Sequence, residues 1–196
     1  MKKKQITKLL TQSGLIVFSV LFALFIDRMA ANIKTNAQKR TALARIQTEL
    51  SENEKLIGQM ITLHRQVIQS LNAAIQNPND TLTRRIATDG YLDYRLLAGG
   101  ESFFPRYPSS TSWEAAKSTG IISEFDYETI EACEDAYALQ ETIVRNTLPK
   151  IVDDLFELDP SQMNQKLIKF RLKFIEISNQ ERTLLLRLQA AIKRTE

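Results

Sequence analysis

Residues 9–26 read LLTQSGLIVFSVLFALFI, and none of these 18 side chains is charged. As a helix the stretch reaches about 27 Å, close to the thickness of a bilayer's hydrocarbon core. No other feature constrains the fold as strongly. Three readings compete for it: a transmembrane anchor, a cleaved signal peptide, and a buried helix of a soluble domain. A signal peptide wants a short apolar region and small residues at a cleavage site. The run here is long, and Met29, Ala30 and Ala31 match such a site poorly and lie beyond Asp27 and Arg28. A core helix keeps a polar face, which residues 14–26 lack. The anchor reading is therefore preferred.

Charge sets the expected orientation. Lys2, Lys3, Lys4 and Lys8 crowd the N-terminal flank. Basic flanks stay in the cytoplasm, so the rest of the chain is expected outside the cytoplasmic (inner) membrane, which a single pass crosses. The same lysines account for the positive balance. The chain has 26 Lys plus Arg against 23 Asp plus Glu, and setting those four aside leaves 22 against 23. A near-neutral remainder with no basic-aromatic platform argues against nucleic acid as a partner.

Six glycines and five prolines in 196 residues favour long helices over a turn-rich sheet. Residues 27–76 contain no proline. From Leu43 the series Leu43, Ile46, Leu50, Asn53, Ile57, Met60, His64, Val67, Leu71, Ala74 steps by three and four, a heptad seam with Asn53 and His64 as its polar members. Ile61, Ile68 and Ile75 widen the apolar face. Glu49, Glu52 and Glu54 beside Lys55 read as a solvated face. A second seam, Leu167, Phe170, Phe174, Ile177, Glu181, Leu184, Leu188, Ala191, marks a last helix from Ser161 to about Arg194. Its polar member is Glu181.

Asn77-Pro78-Asn79-Asp80 breaks the first long helix, and Asp80 or Thr81 can cap a helix running to Ala98, ended by Gly99-Gly100. Residues 101–112 are irregular and hold Phe103, Phe104 and Tyr107, an aromatic lid or, less favoured, an exposed binding surface. Thr111 and Glu114 have capping-box spacing for a short helix ended by Gly120. Trp113 either packs this helix or forms a recognition face with Glu114 and Lys117, which are also spaced to pair. Another helix begins near Ser123 or Asp126 and runs to about Thr147, with Ile130, Cys133, Tyr137, Gln140 and Val144 on one face, and Leu148-Pro149 interrupts it. Cys133 is the single cysteine, expected buried and inert.

The expected fold is all-α. Residues 1–8 form a cytoplasmic basic tail, residues 9–26 the transmembrane helix, residues 27–42 a helical stalk, and residues 43–196 an extracytoplasmic antiparallel bundle with a short helix and a lid-like loop. With the two seams antiparallel, Asn53 is expected roughly opposite Glu181, and His64 nearer the lid.

Chemistry-bearing motifs are scarce. The single histidine has Met60 and Ile68 at the ligand spacing on its helix. No glycine-rich phosphate loop, HExxH or Glu-x-x-His occurs. Glu131, Glu134, Asp135, Asp153 and Asp154 read as solvated faces. The sequence therefore offers no catalytic, metal or cofactor site, and enzymatic activity is not expected.

Residues 14–57 and 111–137 carry a resemblance. An apolar helix leads into a long charged one, and TSWEAAKSTGIISEFDYETIEACEDAY holds a Trp-Glu-x-x-Lys-x-x-Gly motif at Trp113, Glu114, Lys117 and Gly120, followed by Asp126 and Tyr127. In these features the chain resembles a family of uncharacterised bacterial membrane-anchored helical proteins. That resemblance implies a membrane helix continued by a long helix, and it carries over no catalytic role. Residues 101–112 are individual to this chain. The leading expectation is a membrane-tethered interaction or scaffolding protein with the bilayer and an unknown protein as partners; the two seams also suit a homodimer. The alternative is a sensory domain binding a small ligand and signalling through a membrane partner.

Overall fold

A computed structural model describes residues 2–79, 83–84, 94–155 and 162–195. Among them every regular element is helical. Helix α1 runs unbroken over Lys2–Gln76. The absence of proline permits this length, and Pro78 ends it. By length and composition α1 is apolar enough to cross a membrane, and none of its apolar window is buried. Leu15, Phe18, Leu21, Phe22 and Phe25 are all exposed. The same helix then buries Ile46, Leu50, Ile57, Met60, Val67, Leu71 and Ala74. Span and core scaffold are thus one continuous rod.

Next come α2 (Tyr94–Leu97), α3 (Thr111–Ser118), a 3₁₀ turn (Ile121–Glu124), α4 (Tyr127–Thr142), a π turn (Ile143–Thr147), α5 (Leu148–Leu155) and α6 (Met163–Thr195). The expected helix before Gly99 lies mostly outside the described residues, as do Asp80, Thr81 and the expected start of the last helix at Ser161. Gly99 and Gly100 take φ of 68° and 98° and end α2. Gly120, at φ 74°, ends α3 as its motif position predicts. Asp126 caps α4, accepting from the Thr129 amide at 2.9 Å and the Thr129 hydroxyl at 2.8 Å, which hold its carboxyl below the ordinary value.

The interruption at Leu148-Pro149 is milder than predicted. The chain widens into the π turn and continues as α5. Proline cannot serve the carbonyl of Arg145, four residues back. In a π turn a carbonyl is served five residues on, so the widening removes the conflict.

Helix α6 packs antiparallel to α1. Gln189 donates to Glu54 at 2.8 Å, His64 lies 2.9 Å from Glu181, and Arg171 donates to Asn72 at 3.3 Å. Every residue of the predicted α6 seam is buried. Helix α4 packs against both: the Thr129 hydroxyl donates to the Arg194 carbonyl of α6 and Arg187 of α6 to that of Asp135, while Tyr137 reaches Glu49 of α1. The axial register differs from expectation. Glu181 meets His64, about three turns further along α1 than Asn53. A heptad seam dictates which face is buried, while a slip of three steps along the seam, from Asn53 through Ile57 and Met60 to His64, still places apolar on apolar.

Candidate functional site

Two buried polar clusters tie α1 to the segment 101–112. In the first, both carboxyl oxygens of Glu181 lie 2.9 Å from His64 Nδ1. Oε2 has hydrogen-bond geometry, and Oε1 has no donor. His64 Nε2 sits 3.0 Å from the carbonyl oxygen of Phe103. A carbonyl only accepts, so Nε2 carries a proton and donates it. The proton between Nδ1 and Glu181 is then shared, either as imidazolium and carboxylate or as imidazole and carboxylic acid. Both side chains are 0% exposed. Phe104 and Phe174 present ring edges to the imidazole at centroid distances of 5.3 and 5.4 Å. Burial pushes the Glu181 carboxyl above its ordinary value, with the His64 hydrogen bond pulling the other way. Desolvation prevails over that pull.

The second cluster centres on Glu49, 6% exposed. It accepts from the Tyr137 hydroxyl at 2.7 Å, the Ser109 hydroxyl at 2.8 Å and the Ser112 amide at 2.9 Å. The Trp113 amide approaches at 3.5 Å. A carboxylate on α1 therefore satisfies the free N–H groups at the start of α3. The predicted Thr111 capping box does not form: Ser110 occupies the cap position without a side-chain cap bond, and Thr111 is already helical. One turn along α1, Asn53 grips the Ser109 backbone from both sides, accepting from its amide at 2.9 Å and donating to its carbonyl at 2.7 Å. Gln140 of α4 donates to the same carbonyl at 3.0 Å and accepts from Asn53 at 3.1 Å. Asn53 thus meets Ser109 and Gln140, which corrects its expected pairing with Glu181. The solvated reading of Glu49 is corrected too. Its four-residue spacing to Asn53 was the available signal, obscured by the neighbouring acids Glu52 and Glu54.

The aromatic residues of the irregular segment divide. Phe103 is buried against Phe174 at 4.8 Å, Phe104 is half-buried, and Tyr107 is exposed. Packing accounts for the first two and leaves Tyr107 alone at the surface. Trp113 is buried and stacks on Tyr137 at 5.5 Å, so it is withdrawn from any recognition face. Glu114 and Lys117 are exposed and paired at 2.7 Å, with the Lys117 ammonium 5.9 Å from the Trp113 ring centre. Cys133 is buried, its thiol pushed up to about 12 chiefly by desolvation.

Two of the concavities near the Glu49 cluster lie along different faces of α3. One of about 370 Å³ is lined by Pro108, Trp113, Lys117, Tyr137 and Gln140, among others, and the Trp113 indole N–H is buried without an acceptor. The other, a groove of about 580 Å³, lies between α3 and the part of α1 just beyond the apolar span. Among the described residues no three His, Cys, Asp or Glu side chains are grouped to hold a metal ion. In comparisons with family models, curated proteins and solved structures, the chain matches none.

Proposed function

We propose that the chain is a membrane-tethered helical-bundle interaction or scaffolding protein, not itself catalytic. It is a single-pass protein of the cytoplasmic membrane, with the basic N-terminus inside and the antiparallel bundle, closed by the lid-like segment 101–112, outside. The carrying observation is the continuity of α1, which leaves an exposed apolar span and becomes the buried scaffold of the folded part without a break. A tether of this kind fixes the height and rotation of the surface it presents, which a flexible linker would not. The buried clusters at Glu49 and His64 support the reading by holding the lid and α3 rigidly on that rod. The same reading groups the chain with the membrane-anchored helical proteins it resembles through residues 14–57 and 111–137.

Crosslinking in native membranes, with captured proteins identified, tests the interaction reading: reproducible partners are expected, and none under several conditions overturns it. Reporter fusions after residue 196 test the topology; activity of a reporter that works only in the cytoplasm overturns it. A sensory reading draws support from the buried, acceptor-free indole N–H of Trp113 beside the smaller concavity. It predicts a small acceptor-bearing ligand that changes Trp113 fluorescence.

A further inference from the structure

Where α1 leaves the apolar span it carries Arg28, Lys34, Lys39, Arg40 and Arg45, with no acidic residue between Asp27 and Glu49. Lys34, Gln38, Thr41 and Arg45 are spaced four, three and four residues apart and form one row on the helix. This row is one wall of the larger groove, and Ala115 and Thr119 of α3 belong to the other. All six residues are exposed. No acidic side chain lines the groove. Among the described residues, the ion pairs involve neither Lys34 nor Arg45. The groove is thus walled by small side chains, with a free cation toward each end, about 16 Å apart along the helix.

We infer that this groove seats an acidic helix of a second membrane-anchored protein, running beside α1 with carboxylates about three turns apart that meet Lys34 and Arg45. The inference rests on the interaction reading above and names its surface and partner class. Charge selects the occupant. A second copy of this chain, laid in parallel at the same height, brings Lys34 and Arg45 against like charges. Height separates a protein from lipid. Lys34 lies about 12 Å and Arg45 about 28 Å beyond Ile26 along the helix. The headgroup layer is about 5–8 Å deep on each side of the hydrocarbon. An anionic headgroup reaches toward Lys34 and not Arg45, whereas a helix emerging from the same bilayer passes both. Ala115 and Thr119 present short side chains, so an incoming backbone can approach closely.

The test places a photo-reactive phenylalanine analogue at Gln38, at Thr41 and, away from the groove, at Thr183 on α6, in the full chain in native membranes. Crosslinked peptides are then sequenced. Gln38 and Thr41 are expected to capture one membrane protein through a segment bearing two Asp or Glu about three turns apart. Lys34→Glu with Arg45→Glu lowers that adduct about tenfold, and reversing the two acids of the partner restores it. If the reversed variant loses helicity, Lys34→Gln with Arg45→Gln is read instead, with the same direction. Adducts at the groove only to lipid, only to this chain, or to a segment without such acids overturn the inference, as does indifference to charge. Partner adducts at Thr183 with none at the groove overturn it and leave the interaction reading standing. Adducts at none of the three positions overturn the groove and count against that reading as well.

Discussion

His64 on α1 and Glu181 on α6 face each other at 2.9 Å, both shut off from water, and the remaining nitrogen of His64 holds the carbonyl of Phe103. One shared proton therefore joins α1 to α6, and a second, on Nε2, joins α1 to the lid. Phe103, Phe104 and Phe174 make up the apolar surroundings.

The pH dependence has a definite sign. Burial raises the Glu181 carboxyl, so the folded chain keeps a proton that the unfolded chain releases. Its contribution is complete below the unfolded value and is lost as pH climbs through the raised folded value. Glu181→Gln replaces the acid by an amide that still donates to Nδ1 and does not titrate. The difference in stability, wild type minus Glu181→Gln, should fall as pH rises from the ordinary carboxylate range. Thermal melts of both proteins from about pH 4 to about pH 8 measure it. Curves that stay parallel throughout would rule out a raised Glu181.

Removing one partner of this pair should cost far more than removing both. Glu181→Leu strands a histidine nitrogen among phenylalanine rings and is expected to destabilise by about 3 kcal/mol. Adding His64→Leu should recover much of the loss, with the Phe103 carbonyl as the remaining deficit. Denaturant titrations of the two singles and the double decide. Losses that simply add would mean the side chains are not coupled.

Glu49 should behave as the anchor of α3. Tyr137→Phe removes one hydrogen bond to it and is expected to cost about 1–2 kcal/mol. Glu49→Ala also frees the start of α3 and should cost about 3 kcal/mol. Hydrogen exchange locates the effect: the Ser112 and Trp113 amides should exchange faster in Glu49→Ala, while those of Leu184 and Leu188 keep their protection. Unchanged exchange in α3 would show that Glu49 does not cap it.

Cys133 should be silent in the native state. With the thiol buried and pushed up to about 12, almost no thiolate is present at neutral pH. A maleimide probe should label the folded protein negligibly and the denatured protein fully. Rapid native labelling, or a disulfide-linked dimer under oxidation, would place the thiol at the surface.

The two seams were readable because burial of a helix face depends on a local period. Ile46 to Ala74 and Leu167 to Ala191 are spaced by three and four, and nearly all their side chains are buried. Gly120 and Asp126 were readable for the same reason, since a left-handed turn and a helix cap depend on a few adjacent residues. Glu49 was not. Its spacing to Asn53 places it beside the seam but does not say that it is covered, and its burial comes from Ser109, Ser112 and Tyr137, all at least 60 residues away in sequence.

Sequence alone determined that this chain is helical, that its first long helix carries a span of membrane length, and which faces of α1 and α6 are buried. These follow from backbone geometry and hydropathy, which act over one or two turns. The tertiary structure decided the axial register and, through it, every polar pairing: Glu181 with His64 rather than Asn53, and Asn53 with Ser109 and Gln140. A seam stepped by three and four still sets apolar on apolar after a slip of a few steps along it. The connecting segments and the buried polar groups, whose partners are met together in one register, select among those fits. The same selection sets α3 beside the part of α1 just beyond the apolar span and opens the groove between them.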